Sequence, residues 1–322
     1  MNELAHASAE AQGFANIALI KYMGKRDPGR NVPVNPSLSY TLPHLKTTVV
    51  VADAASGPDR WEYLSGAGNV ALRLSPEGER RFLGYVRKLC DLWGHSKSVL
   101  VRSANNFPAD AGIASSASSF SAATKAVAAL LRRHETAAAL ARLSRTGSGS
   151  SCRSFFAPWC MWDGDTIDAL DFPVGDLLHM VVIVDGGRKS VSSSDAHRRV
   201  NTSPRFAGRE DRARARLDQL LEALTHSDWR SAYDISSAEF QDMHELFHTS
   251  DPPFRYRTPV SDRVVQECAD IWAMHRDGPI VTMDAGPNVH LLFRQDQKAM
   301  MSRVRERYSR SHRVLSSEPD VA

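Results

Sequence analysis

A turn rich in alanine, glycine and serine runs directly into a stretch of small residues. The turn reads Asn106-Phe-Pro-Ala-Asp-Ala-Gly-Ile-Ala-Ser-Ser-Ala-Ser118, and small residues dominate as far as Leu131. This composition predicts a helix from Ser116 to Leu131 that packs closely against other elements on every side. The exposed N–H groups and the positive dipole end at the start of such a helix favour a bound phosphate.

Two interpretations of this turn are open. In the first, the small side chains from Pro108 to Ser118 let the backbone approach a phosphate, and the Ser116 hydroxyl reaches the phosphate or a magnesium ion. In the second, the turn is an ordinary loop before a serine-capped helix. It is not a Walker A loop, because no Gly-Lys-Ser/Thr follows.

A second Gly/Ser stretch reads Arg145-Thr-Gly-Ser-Gly-Ser-Ser-Cys-Arg-Ser154. Its composition favours a flexible linker. A linker, however, needs neither Arg153 among the serines nor the aromatic pair Phe155-Phe156 directly after them. Serine hydroxyls with one guanidinium suit an oxyanion, because arginine offers a bidentate fork to a carboxylate or phosphate.

Two charged residues stand at the ends of apolar, strand-like runs. Lys21 lies in Asn16-Ile-Ala-Leu-Ile-Lys-Tyr-Met, where a buried ammonium is costly unless an anion pairs with it; a surface lysine that covers apolar neighbours is the alternative. Asp284, in Thr282-Met-Asp-Ala-Gly-Pro-Asn288, is either a turn-capping aspartate or a catalytic base. Asn35, Ser37 and Ser39 occupy alternate positions, which predicts one polar strand face that can bind a polar ligand.

The remaining pattern mixes strand and helix signals. Strands are expected at 46–52, 98–102 and 179–185, and a hairpin-like pair at 280–283 and 289–293. Helices are expected at 76–93, 136–144, 212–224 and 260–275. Asp, Gly and Pro cluster between residues 163 and 176, so we predict a loop there and a boundary between two lobes, 1–170 and 171–322.

Length and composition bound the class of protein. At 322 residues and 35.6 kDa the chain can form two lobes, each with its own core. The net charge of +3 is too small to mark a nucleic-acid binder, and no run approaches the roughly 20 apolar residues that span a bilayer. The first twelve residues lack the features of a secretory signal, and the four cysteines lack metal-ligand spacing. These features indicate a reduced, cytoplasmic compartment.

Taken together, the polar segments resemble the diphosphomevalonate decarboxylase branch of the GHMP kinase superfamily. The similar blocks are NIALIKYMGKRD, VPVNPSLSYTL, NNFPADAGIASSAS, RTGSGSSCRS, VSSSDAHRR and MDAGPNVHLLF, which occur in the order of that branch from residue 16 to about 293. The resemblance implies an α+β protein with the two-lobed GHMP kinase fold. Its N-terminal lobe would resemble the second domain of a small-subunit ribosomal protein, and its C-terminal lobe would be ferredoxin-like.

The resemblance also implies an activity and its residues. The enzyme would convert (R)-5-diphosphomevalonate to isopentenyl diphosphate with ATP and Mg²⁺ through a 3-phospho intermediate, releasing ADP, phosphate and CO₂, and would form a homodimer. Asp284 would activate the substrate hydroxyl, Lys21 would offset negative charge and Arg153 would hold the carboxylate. The tail of the substrate would contact Tyr22, Ser148, Ser150 and Ser193. The ATP phosphates would contact Pro108, Gly112, Ser115, Ser116 and Ser118, with Ser116 also near the magnesium ion.

Several positions depart from the family pattern. They are Met23, Pro36, Asp110, Ser194 and His197. Because they cluster on the expected substrate side, phosphomevalonate, another 3-hydroxy acid or a reaction that stops at phosphorylation are alternatives. A nucleic-acid-binding protein is a further alternative, based on the arginines at Arg212–Arg216 and Arg303–Arg310. We interpret these arginines as solvated helix faces, because Asp and Glu are interspersed among them.

Overall fold

A computed structural model describes residues 7–70, 74–108, 115–185 and 191–318. Its strands are β1 (Ser8–Ile20), β2 (Lys25–Asp27), β3 (Val32–Pro33), β4 (Ser37–Asp53), β5 (Arg60–Tyr63), β6 (Val99–Asn105), β7 (Trp159–Asp163), β8 (Thr166–Leu170), β9 (Leu178–Ile183), β10 (Ile280–Thr282), β11 (Val289–Phe293) and β12 (Arg313–Ser316). Its α-helices are α1 (Pro76–Leu92), α2 (Ser115–Leu130), α3 (Ala137–Gly147), α4 (Ser193–Arg199), α5 (Arg209–Thr225), α6 (Trp229–His248), α7 (Pro259–His275) and α8 (Lys298–Ser309). Short 3₁₀ helices span Gly149–Phe155, Val200–Thr202, Pro204–Phe206 and Gln295–Gln297.

The first compact unit contains the described parts of Met1–Asn16, Leu45–Ala109 and Ala114–Phe156. In this unit the second part of β4 pairs antiparallel with β6, from Thr47 opposite Asn105 to Asp53 opposite Val99. Strand β5 pairs with β6 in parallel. A parallel pair needs a crossover connection, which α1 supplies.

Helix α2 confirms the predicted helix of small residues. Its Ala117, Ala122 and Ala126 are fully buried. The backbone of β1 approaches α2 so closely that a Cβ added at Gly13 would lie 2.2 Å from the Ser118 carbonyl oxygen. Small side chains on both elements are therefore what permits this packing.

The second compact unit contains the described parts of Ile17–His44 and Ala157–Ala322. The first part of β4 pairs with β7 from Ser37 opposite Trp162 to Tyr40 opposite Trp159. The loop predicted for residues 163–176 is partly wrong, because β8 begins at Thr166 and pairs antiparallel with β7. Asp163-Gly164 begins a tight hairpin turn, with Gly164 at φ 59°, a conformation that glycine adopts without strain.

A separate four-stranded sheet has the strand order β10-β11-β9-β12, and all its pairs are antiparallel. The predicted hairpin is confirmed, with Ile280 opposite Leu292. The chain passes from β9 through helices to β10 and β11, and then through α8 to β12. This βαββαβ sequence is ferredoxin-like, so the predicted α+β class and C-terminal lobe are confirmed.

All five expected helices are present. Helix α7 begins where predicted because Pro259 is its first residue and Thr258 caps it through a reciprocal hydrogen-bond pair with Ser261. Helices α4, α6 and α8 were not predicted. In the described part of the chain, no helix combines the length and apolar character needed to cross a bilayer.

Candidate functional site

Lys21 and Asp284 form an ion pair. Lys21 directly follows β1, and Asp284 lies two residues after β10. The two elements are held together by Thr282, whose hydroxyl donates to the Ala18 carbonyl. The Lys21 Nζ lies 2.8 Å from Asp284 Oδ1, and the side chains are 2% and 26% exposed. The surface-lysine interpretation is therefore wrong, since the ammonium is buried against a carboxylate that solvent reaches.

The peptide groups of Lys21 are held by a buried ion pair that the sequence did not indicate. Its backbone N–H donates to Glu239 Oε1 at 3.0 Å, and its carbonyl accepts from Arg209 Nη2 at 3.2 Å. Asn35 Nδ2 donates to the same carbonyl at 2.9 Å. Arg209 and Glu239 are fully buried and paired with each other, and Arg209 also binds Asp242 Oδ2 at 2.9 Å. The backbone of Lys21 is thus fixed on both sides.

The Asp284 backbone is also fixed. His244 Nε2 lies 3.2 Å from the Asp284 carbonyl oxygen, and the Gly286 N–H donates to the same oxygen at 2.8 Å. Burial, together with the charge of Arg257, lowers the pKa of His244 to about 3. The neutral ring therefore carries its proton on Nε2 and donates to the carbonyl. Asn288 anchors the end of the turn by accepting from the Val184 N–H at 2.7 Å.

Arg153 lies in the 3₁₀ helix Gly149–Phe155 and is 3% exposed. Its Nε and Nη2 donate to Asn16 Oδ1 at 3.2 and 3.1 Å, and Asn16 Nδ2 donates to Ser154 Oγ at 2.8 Å. The flexible-linker interpretation is wrong, because the segment is helical and largely buried. Two serines were expected near Arg153. Ser148 caps the C-terminus of α3 and is 8% exposed. Ser150 is half-buried, and its carbonyl accepts a hydrogen bond from Asn16 Nδ2.

The serines of the proposed phosphate loop differ in surroundings. Ser115 begins α2, Ser116 is exposed in its first turn, and Ser118 is fully buried. The Ser118 hydroxyl contacts Thr47 Oγ1 at 2.6 Å and donates to the Ser115 carbonyl at 3.1 Å, so it links elements inside the first unit. Pro108 is half-buried, while Gly112 and Asp110 lie outside the described residues.

Tyr22 packs between two rings of the second unit. Its ring centroid lies 4.3 Å from that of His197 and 4.7 Å from that of Trp162. His197 Nδ1 accepts from the Gly24 N–H at 3.0 Å, so a neutral His197 carries its proton on Nε2. Ser193 is exposed at the start of α4.

Two other sequence features belong to the packing of the second unit. Met23 is buried in an apolar cluster with Val191, Met243 and Phe247, so its departure from the family pattern is explained by core packing. Ser37 and Ser39 lie on one face of β4 and are fully buried, whereas Asn35 precedes the strand.

The interpretation of Arg212–Arg216 as a solvated face needs correction. Arg216 Nη1 lies 2.9 Å from Glu239 Oε2, and Arg212 Nε lies 3.2 Å from Asp242 Oδ1. These partners sit in α6, which the sequence did not predict. The alternation of basic and apolar residues in α5 identified the helix but not the acidic residues that its arginines bind.

Comparisons with known proteins agree over nearly the whole chain. The family model described as "Diphosphomevalonate decarboxylase-like N-terminal domain" matches residues 13–170, and "Mevalonate 5-diphosphate decarboxylase C-terminal domain" matches residues 179–318. The curated diphosphomevalonate decarboxylase of Ganoderma lucidum is 32% identical over 314 residues, covering 87% of this chain and 76% of that protein.

Solved structures agree with these matches. The crystal structure of a mevalonate diphosphate decarboxylase from Legionella pneumophila has a TM-score of 0.89 and 43% identity, covering 96% of this chain and 100% of that one. A structure of MDDEF in complex with MVAPP, AMPPCP and magnesium has a TM-score of 0.85 and 28% identity, covering 98% and 100%.

Proposed function

Because the chain belongs to the diphosphomevalonate decarboxylase family, we propose that its Lys21–Asp284 pair serves the ATP-dependent decarboxylation of (R)-5-diphosphomevalonate. The reaction yields isopentenyl diphosphate, ADP, phosphate and CO₂. The observation that carries the assignment is the 2.8 Å ion pair between a buried ammonium and a partly exposed carboxylate. A nearby cation favours the ionised carboxylate, which is the form that accepts a proton.

Asp284 takes the proton of the tertiary hydroxyl as that oxygen attacks the γ-phosphate. Phosphoryl transfer depends on alignment and charge neutralisation more than on covalent chemistry by the protein. Lys21 supplies a fixed positive charge, and its held backbone supports the alignment. The related protein MDDEF was solved with MVAPP, AMPPCP and magnesium, which supports a reaction that uses both a mevalonate diphosphate and ATP.

Decarboxylation follows from the 3-phospho intermediate. Hydroxide leaves a β-hydroxy acid poorly, whereas phosphate leaves readily. As phosphate departs from C3, the electrons of the bond to the carboxylate carbon form the alkene and CO₂ is released. Arg153 holds the carboxylate, and its orientation by Asn16 supports this role. Tyr22, Ser148, Ser150 and Ser193 contact the diphosphate tail.

The enzyme uses ATP and Mg²⁺. We assign the phosphates to Pro108, Gly112, Ser115, Ser116 and Ser118, with the Ser118 hydroxyl acting by supporting the turn. Among the described residues no group of three or more His, Cys, Asp or Glu side chains could hold a metal ion. This fits Mg²⁺, which keeps several waters and binds substrate phosphates with one or two protein ligands such as Ser116. When bound, the ion neutralises phosphate charge.

Three broader assignments complete the proposal. We place the lobe boundary between residues 170 and 171, next to the interval that separates the two family matches. We place the enzyme in the cytoplasm, which four buried free cysteines support. The homodimer rests on the family resemblance, and light scattering coupled to size-exclusion chromatography tests it.

The decisive experiment measures ADP and CO₂ release in parallel with mevalonate, its 5-phosphate and its 5-diphosphate. We expect both products, in equal amounts, from the diphosphate. Asp284→Ala should bind ATP normally and lose at least about 100-fold in turnover, the usual contribution of a positioned base. Asp296→Ala, at an exposed aspartate paired with Arg294, is the control. More than about a tenth of wild-type turnover in Asp284→Ala contradicts the assigned base.

Arg153 is tested with the same assay. Arg153→Ala should reduce CO₂ release at least as strongly as Asp284→Ala. Normal CO₂ release from this variant contradicts its contact with the carboxylate.

A further inference from the structure

Three histidines of the second unit form a continuous hydrogen-bonded chain. His44 Nε2 lies 3.1 Å from His179 Nδ1, and His179 Nε2 lies 3.0 Å from His290 Nδ1. The ring centroids are 5.1 and 5.2 Å apart, so the rings meet edge to edge rather than stacked. His179 and His290 are 1% and 2% exposed.

All three rings are neutral, so the nitrogen that carries the proton in one ring determines which nitrogen carries it in the next. Burial lowers the pKa of His44 and of His290 to about 4, and it lowers the pKa of His179 well below the usual value. A neutral imidazole has one donor and one acceptor nitrogen. The three N–H groups must therefore all point along the chain in the same direction.

The two ends of the chain differ. At the outer end, His44 lines an open cavity of about 460 Å³ together with Thr41, Pro43 and Asp176. At the inner end, His290 Nε2 is buried and has no hydrogen-bond partner in the described part of the chain.

The inner end lies on the Asp284 side. In the register of β10 and β11, His290 is opposite Thr282, and Thr282 is two residues before Asp284. The charge of Asp284 raises the pKa of His290 and the charge of Lys21 lowers it, although burial is the larger effect.

We propose that His290, His179 and His44 form a relay that carries protons between Asp284 and the cavity beside His44. The relay rests on the proposed role of Asp284 as the base. In phosphoryl transfer, the hydroxyl proton passes from Asp284 to His290 Nε2 through bridging water. The His290 Nδ1 proton then moves to His179 Nε2, the His179 Nδ1 proton moves to His44 Nε2, and His44 Nδ1 releases a proton to water.

The second half of the reaction restores the rings. Phosphate that departs from C3 leaves as a trianion and takes up one proton. A proton that enters at His44 Nδ1 and leaves from His290 Nε2 supplies it through Asp284 and returns every ring to its first tautomer.

The test removes the outer ring, which is only half-buried. His44→Ala should keep the KM for ATP and for diphosphomevalonate and lower kcat about 100-fold, the lower end of the range for a lost proton-transfer group. Added imidazole, which fits the enlarged cavity, should restore kcat. His44→Phe should be equally slow but should resist rescue, because the ring fills the space without a nitrogen. A thermal melt checks that both variants are folded.

The control is His226→Ala, because His226 lines a different open cavity of the same unit. It should be unaffected with or without imidazole. Wild-type kcat in His44→Ala, or a loss that imidazole does not restore in a folded variant, overturns the relay. Such a result leaves the base assignment standing, because that assignment depends on Asp284→Ala alone.

Discussion

Replacing Arg209 by methionine tests whether the buried ion pair positions Lys21. The change removes the guanidinium that binds the Lys21 carbonyl, Glu239 and Asp242. Glu239 and Asp242 are then left almost fully buried with Arg216 as a shared partner. Removing one partner of a buried ion pair costs about 3–5 kcal/mol. Because Arg216 remains, we expect the lower end of that range.

The matched control is Arg212→Met. Arg212 also binds Asp242, but its side chain is 33% exposed, so its pair should contribute about 1 kcal/mol or less. Urea denaturation should show a clear loss in Arg209→Met and little change in Arg212→Met. At 25 °C Arg209→Met should remain folded, since domains are typically stable by about 5–15 kcal/mol.

Activity separates a positioning role from a structural one. In folded Arg209→Met, kcat should fall about 10- to 100-fold, because small displacements of a catalytic group have effects of this size. The KM for ATP should change little, since the described nucleotide residues Pro108, Ser115, Ser116 and Ser118 belong to the first unit. Glu239→Gln keeps an acceptor for the Lys21 N–H and should retain more kcat than Glu239→Leu. Wild-type kcat in folded Arg209→Met, or equal kcat in the two Glu239 variants, refutes the positioning argument.

Three further predictions concern stability and reactivity. Gly147→Ala would place a Cβ 2.2 Å from the Phe120 ring and should lower the unfolding free energy by about 1–3 kcal/mol. Gly84→Ala, at an open position in α1, should raise the unfolding free energy by up to about 1 kcal/mol. Urea melts measure both changes. Burial of neutral His244 contributes stability above its unfolded pKa of about 6.5, and this contribution is lost as pH falls toward the folded pKa of about 3. Between these two pH values, His244→Gln should reduce the slope of the unfolding free energy against pH by about 1.4 kcal/mol per pH unit. Burial raises the pKa of the Cys152 thiol to about 12, so a thiol reagent should label it only after unfolding, and rapid native labelling contradicts this.

The local sequence made Lys21 and Asp284 candidates, because a buried charge requires a counter-charge, but it left a surface lysine and a turn-capping aspartate open. The family resemblance named the two as partners, and the structure brings them within 2.8 Å of each other. Arg209 could not be recognised in this way. Its partners lie 30 and 33 residues further along the chain, in a helix whose pattern was not identified.

Gly/Ser composition was informative in one segment and misleading in another. The small residues of α2 predicted close packing, because small side chains let neighbouring elements approach the helix backbone. The same composition suggested a linker at Arg145–Ser154, where serine hydroxyls instead bond within the fold, as the Ser151 hydroxyl does with Ser144 at 2.6 Å. Composition does not show whether a hydroxyl is bonded to protein or to water.

The pairing of Lys21 with Asp284 has a consequence for synthesis of the chain. The two residues are 263 positions apart, and Lys21 is 218 positions from Glu239. Since a chain is made from its N-terminus, Lys21 leaves the ribosome long before either partner exists. Its ammonium must stay hydrated until β10 has been made, and burial of the β1 end is therefore a late event. A nascent chain stalled before residue 280 should show Lys21 open to amine-reactive labels, and the finished chain should protect it.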